Sequence, residues 1–160
     1  MRLSDLLKQT GIGPDLDGDV TGLTADSRAV KPGYIFAALA GTMADGRTYI
    51  PSALEKGAIA ILTDRDYDAS DCPVYCHQVG NPRRELALLA ARFFGAMPET
   101  IVAVTGTNGK TSVAHFVRTI WQEMGLQAAS LGTLGIVTRD GTEDLHYTTP
   151  DPVLLHQRLA

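Results

Sequence analysis

Apolar positions divide the chain into short blocks that alternate between helical and extended periods. Leu3, Leu6 and Leu7 lie on one side of a short amphipathic helix predicted over 1–10. GIGPDLDGD at 11–19 is a turn-rich connector. A Pro-Gly turn at 32–33 precedes the apolar run 34–39, which predicts a strand. The polar loop AGTMADGRTYI follows, and helical spacing resumes at Ile50, Ala53 and Leu54 before Gly57 stops it. AIAILTD at 58–64 and PVYCHQV at 73–79 read as strands. Residues 82–94 predict a helix with Leu86, Leu89, Ala90 and Phe93 on one face.

GAMPET at 95–100 interrupts this alternation and marks a boundary. It separates an α/β domain over 1–97 from a second domain that begins at 98 and runs to 160. In the second domain, 101–104 is β-branched and apolar, and predicts a buried strand. Beyond a glycine-rich turn, Val113, Phe116, Val117, Ile120, Trp121 and Met124 recur mostly three or four apart, up to a stop at Gly125. That spacing assigns Trp121 to a core rather than to base stacking. LQAASLG at 126–132 predicts another strand, and 151–160 the start of a helix capped by Thr149 or Asp151. Two clear central strands are fewer than a parallel sheet covered on both faces requires, so the second domain reads as the front of a larger one. The fold class is α/β.

Composition narrows the function classes. Apolar residues make up 44% of the 160, ordinary for a soluble globular chain. Net charge is −4 and the 14 basic residues are dispersed, which argues against a nucleic-acid partner. No apolar run approaches a membrane span, and the N-terminus lacks the apolar core of a signal peptide, so cytoplasm is the expected compartment. Cys72 and Cys76, followed by His77, have no second ligand pair nearby and read as buried free thiols.

The chemistry concentrates in GTNGKTS at 106–112. Strand, glycine turn and helix form the setting in which main-chain N–H groups converge on an anion. Gly106 and Gly109 flank Thr107 and Asn108; Asn108 either shapes the loop or turns its amide to phosphate. Lys110 carries charge to the outer phosphates of a nucleoside triphosphate, and Thr111, ahead of Ser112, offers a hydroxyl to Mg²⁺. Val104 stands where the common phosphate-loop pattern has its first glycine, so this loop is shorter. A bland glycine turn with a surface lysine is the competing reading.

Four stretches together resemble the Mur ligases, the ATP-dependent amide-bond-forming enzymes of peptidoglycan precursor synthesis. They are TGTNGKTS, DSRAVKPGYIFAALAGTMADGRTYI at 26–50, SLGTLGI at 130–136 and YTTPDP at 147–152. The first is shared with folylpolyglutamate synthase; the combination resembles the branch that adds the third stem residue. The resemblance implies a small N-terminal domain that binds the UDP end of the substrate, followed by the start of a P-loop-type ATPase domain. It implies ATP and Mg²⁺ as cofactors and Lys110 as the catalytic residue. UDP-N-acetylmuramoyl-L-alanyl-D-glutamate and a free amino acid, meso-diaminopimelate ahead of L-lysine, are the implied substrates of a monomer.

By that resemblance Ser27, Arg28, Thr42, Met43 and Ala44 surround uracil and ribose, while Thr148 and Thr149 contact the phosphate or muramoyl end. Many relatives carry histidine and glutamine where this chain has Thr42 and Met43. Asp26 reads as a brace for its own backbone, Asp45, Gly46 and Arg47 as loop-shaping residues, and His115 as a surface or packing residue. Further magnesium ligands, a modified lysine and an amino-acid-binding domain are implied downstream, so 1–160 alone is expected not to ligate. The rivals are the dipeptide-adding relative, a P-loop kinase or ATPase, and a non-catalytic UDP-sugar-binding module.

Overall fold

The computed structural model describes residues 1–8, 11–41, 45–145 and 150–160. The chain forms two compact units: Met1–Met97 with Pro152–Ala160, and Pro98–Asp151.

The first unit is built on a parallel sheet in the order β1-β2-β3-β4, comprising Gly22–Thr24, Tyr34–Ala37, Ala60–Asp64 and Tyr75–Val79. Successive side chains of a strand point to opposite faces. Ile35, Ala37, Ala60 and Leu62 therefore enter one core with Leu3, Leu6 and Leu7 of α1 (Leu3–Leu7) and with Leu86 and Leu89 of α3 (Pro82–Phe94). Phe36 and Ile61 enter the other, with Ile50 and Ala53 of α2 (Ile50–Glu55). Burial on both faces explains why these strands read as continuous apolar runs.

Strand β1 lies in a segment whose mixed composition gave no period. The connection from β3 to β4 holds no helix; Tyr67, Cys72 and Val74 of the 65–74 segment pack on the α2-side core instead. Helix α1 is braced from the connector, where Asp17 Oδ1 accepts the Ser4 N–H at 2.8 Å and Oδ2 the Ser4 hydroxyl at 3.0 Å. Asn81 caps α3 by accepting the Arg84 N–H at 3.0 Å. Inside the unit, His77 Nε2 stands 3.8 Å from Glu85 Oε1, and Arg92 Nη1 is 3.5 Å from the same oxygen. Arg92 also donates to the Leu6 carbonyl at 3.2 Å, tying α3 to α1. The last helix, α5 (Pro152–Leu159), packs on α3, and Val153 joins the α1–α3 core.

In the second unit, α4 (Lys110–Glu123) packs on an antiparallel sheet of β5 (Ser130–Gly132), β6 (Gly135–Val137) and β7 (Thr142–Glu143). Two expectations fail here. Residues 101–104 are not a strand, and Ile101 and Val102 are 59% and 56% exposed. The apolar face of α4 is turned to solvent, with Phe116 at 61% and Met124 at 68% exposure, while Arg118 is its buried residue and Trp121 is half-buried. A strand needs a laddered neighbour and an apolar helix face needs an apolar cover. Among the described residues of this unit only three short antiparallel strands are available, and they take the other side of α4. The buried Arg118 is held by the His115 ring, Nη2 to Nδ1 at 2.8 Å.

Candidate functional site

The four parallel strands of the first unit end on one edge, so the segments that follow them are neighbours there. Two of those segments share a device. After β1, Asp26 Oδ1 accepts the Arg28 main-chain N–H at 2.9 Å while both carboxylate oxygens take the guanidinium, the closest contact being 2.8 Å. After β2, Asp45 grips Arg47 in the same way, by the main-chain N–H at 3.0 Å and by Nη2 at 2.6 Å. The guanidinium hydrogen bonds, first among the causes, hold both carboxyls below the usual aspartate range. Asp45 also caps the short 3₁₀ turn Gly46–Tyr49, and its carbonyl accepts the Thr48 hydroxyl at 2.7 Å.

Ser27 sits between Asp26 and Arg28, and its carbonyl takes Lys56 Nζ at 2.7 Å. The Arg28 side chain is 87% exposed. Both Asp26 and Asp45 thus brace their own loops, as their sequence context suggests. Thr42, Met43 and Ala44, expected around uracil, lie outside the described residues, as do Thr148 and Thr149. The same edge carries a cavity of about 190 Å³ that sequence reasoning missed. Leu39, Ala40 and Asp64 close it from the ends of β2 and β3, and Asn81, Pro82 and Arg83 from the start of α3. Arg83 Nη2 donates to the Ala40 carbonyl at 2.9 Å. Nothing in the periodicity signals this cavity, because its lining comes from three connections distant in sequence.

In the second unit, the glycine turn leads directly into α4. Gly109 is the N-cap at φ 79°, a left-handed conformation that glycine adopts without a Cβ clash. A glycine N-cap brings no side-chain acceptor, and no side-chain cap bonds the first turn of α4. Gly106, Thr107 and Asn108 form the exposed turn before it. Lys110 folds back over this turn: Nζ donates to the Gly106 carbonyl and, at 3.3 Å, to the Thr107 carbonyl. Its ammonium therefore sits on the loop it would serve. Thr111 and Ser112 follow on the exposed side of the first turn. The Thr111 hydroxyl meets the Thr133 hydroxyl at 3.1 Å. Thr133 was legible only as part of SLGTLGI; its contact with the loop depends on tertiary folding.

A hard hydroxyl oxygen such as that of Thr111 suits Mg²⁺. Among the described residues no group of three or more His, Cys, Asp or Glu is placed to hold a metal. Cys72 and Cys76 are free and half-buried, and burial, with a hydrogen bond to Cys72, pushes the Cys76 thiol up to about 12. Among the described residues no helix is long and apolar enough to cross a membrane.

Comparison with known proteins agrees with this anatomy. Residues 19–94 match the profile of the Mur ligase family, catalytic domain, and 104–160 that of the Mur ligase middle domain. A UDP-N-acetylmuramoyl-L-alanyl-D-glutamate–2,6-diaminopimelate ligase of Mesorhizobium japonicum is 49% identical over 164 residues, covering 99% of this chain and 33% of the relative. One of the same description from Bradyrhizobium diazoefficiens is 49% identical over 161 residues, with the same coverage of both. A solved structure of a ligase so described superposes with a TM-score of 0.79 at 23% identity, over 99% of this chain and 32% of that one, which supports the fold. The chain spans about a third of the length of the curated relatives it matches. With family profiles matching 19–94 and 104–160, and relatives at 49% identity over 99% of its length, the chain belongs to the Mur ligase family.

Proposed function

We propose that this chain is the front of an ATP-dependent ligase that adds the third amino acid, meso-diaminopimelate, to UDP-N-acetylmuramoyl-L-alanyl-D-glutamate. The observation that carries this reading is Lys110 at the uncapped start of α4, folded over a glycine turn. The names of the curated relatives supply the substrate and the amino acid. In this reading residues 1–97 bind the UDP end and 98–160 begin the ATP-binding domain.

Mg²⁺ and ATP, when bound, supply an electrophilic phosphorus and partial neutralisation of the charge around it. Lys110, whose ammonium rests on the Gly106 and Thr107 carbonyls, would supply positive charge to the terminal phosphate oxygens, where negative charge builds during transfer. Main-chain N–H groups of Gly109, Lys110, Thr111 and Ser112 orient the phosphates, with Gly106, Thr107 and Asn108 setting the turn's shape. The Thr111 hydroxyl presents a lone pair to the metal. Ser27, Arg28, Thr42, Met43 and Ala44 hold the uridine, and Thr148 and Thr149 the phosphate or muramoyl end. The D-glutamate γ-carboxylate would attack the γ-phosphorus, with ADP leaving, to give an acyl phosphate, and the incoming amine would displace inorganic phosphate from the carbonyl carbon and lose a proton. The protein acts as a monomer in the cytoplasm.

The test is a ligation assay on the full-length protein, with the UDP-linked dipeptide, ATP, Mg²⁺ and either meso-diaminopimelate or L-lysine. Product and ADP formed in equal amounts, with preference for meso-diaminopimelate, support the reading. ATP turnover that ignores the UDP-linked substrate overturns it in favour of a simple ATPase.

A further inference from the structure

The Thr111 hydroxyl is bonded outside α4. A threonine inside a helix commonly turns its hydroxyl back to the carbonyl four residues earlier. Thr119, further along α4, does so, donating to the His115 carbonyl at 2.9 Å. Thr111 lies in the first turn of α4, and the residue four positions earlier, Thr107, precedes the helix, so no helical carbonyl stands at that spacing. The Thr111 hydroxyl reaches instead across to Thr133, at 3.1 Å.

Thr133 is carried by a short turn of the antiparallel sheet. It is the first residue of the two-residue turn between β5 and β6, separated from Gly135 by Leu134. Gly135 has φ 85°, and a Cβ there would stand 2.2 Å from the Glu143 carbonyl oxygen. The turn is therefore pinned against the segment of β7, and a side chain at 135 would force it open.

We propose that Thr133 is a positioning residue for Thr111: its hydroxyl oxygen accepts the Thr111 proton and so aims a Thr111 lone pair at Mg²⁺. A hydroxyl that binds a cation must keep its proton directed elsewhere, and a fixed acceptor removes the rotational freedom that binding would otherwise have to restrict. Thr133 touches neither metal nor nucleotide in this role. The inference rests on the assignment of Thr111 to magnesium.

The experiment uses full-length protein and a fluorescent ATP analogue, with nucleotide affinity measured across a magnesium titration and in EDTA. Thr133→Val removes the acceptor and keeps the branched shape; Thr133→Ser restores it. The expected result for Thr133→Val is a magnesium midpoint raised about three- to tenfold, the worth of one hydrogen bond. Its affinity in EDTA stays at the wild-type value and Thr133→Ser behaves as wild type. In a Thr111→Val background, Thr133→Val adds nothing. A magnesium midpoint unchanged by Thr133→Val, or an equal loss of affinity in EDTA, overturns the inference while leaving the ligase reading intact. Wild-type protein whose nucleotide binding ignores magnesium overturns both.

Discussion

Asp45 holds Arg47 by main chain and side chain at once, with its Oδ1 3.0 Å from the Arg47 amide nitrogen and Oδ2 2.6 Å from Nη2. Asp26 and Arg28 repeat the arrangement on the neighbouring loop. Each carboxylate fixes the path of its own loop and also sets the direction of an arginine. Asp45→Ala is expected to weaken binding of a uridine diphosphate ligand to the full-length protein, measured by calorimetry. Arg47→Lys should not restore the wild-type geometry, because an ammonium cannot reproduce the two-pronged contact of a guanidinium.

The same carboxylates give an acid-side signature. Asp17, Asp26, Asp45 and Asp68 all have folded-state pKa values below the ordinary aspartate value, led respectively by hydrogen bonds from Ser4, Arg28, Arg47 and Ser70. A lowered folded pKa means that the unfolded chain binds the proton more readily. The stabilisation is complete above the unfolded value, about 3.9, and is lost as pH falls through the lower folded values. Asp26→Asn should flatten the acid limb of a plot of unfolding midpoint against pH.

His77 has the opposite charge type and the same direction of pH dependence. It is 7% exposed, and burial lowers its pKa against the opposing pull of Glu85. The folded protein favours the neutral ring, so protonation favours unfolding. Its contribution is complete above the unfolded value, about 6.5, and declines as pH falls toward the lower folded value. His77→Gln should reduce the change in urea midpoint between about pH 7.5 and pH 5.5.

Packing and capping in the first unit separate by size of effect. Leu89 is fully buried between the sheet and α1, and Leu89→Ala should cost about 2–5 kcal/mol in equilibrium unfolding. Asn81→Ala removes the α3 cap and should cost about 1 kcal/mol. Circular dichroism of both variants should retain the helical signal at low denaturant.

Lys110→Ala should reduce ligation by the full-length protein by at least about a hundredfold, the scale of losing one charge-stabilising donor at a transition state. Single-turnover measurement of acyl phosphate formation would locate the loss in phosphoryl transfer. Ser112→Ala, which leaves Lys110 and Thr111 intact, should have the smaller effect.

What the sequence determined by itself was whatever depends on local period and local chemistry. Helix α3 spans 82–94 as its apolar spacing requires, and β2, β3 and β4 fall within their apolar runs, because both faces of that sheet are covered. The glycine turn and its lysine were legible because backbone freedom and charge are written in adjacent residues. Tertiary structure alone decided whatever needs a distant partner. Residues 101–104 have strand composition but no ladder, and Phe116 and Met124 have core spacing but no cover. Thr133 meets Thr111 across 22 positions, and beside the cavity Arg83 at the start of α3 meets Ala40, 43 positions away. Periodicity specifies which face a residue occupies; only the folded chain supplies what that face meets.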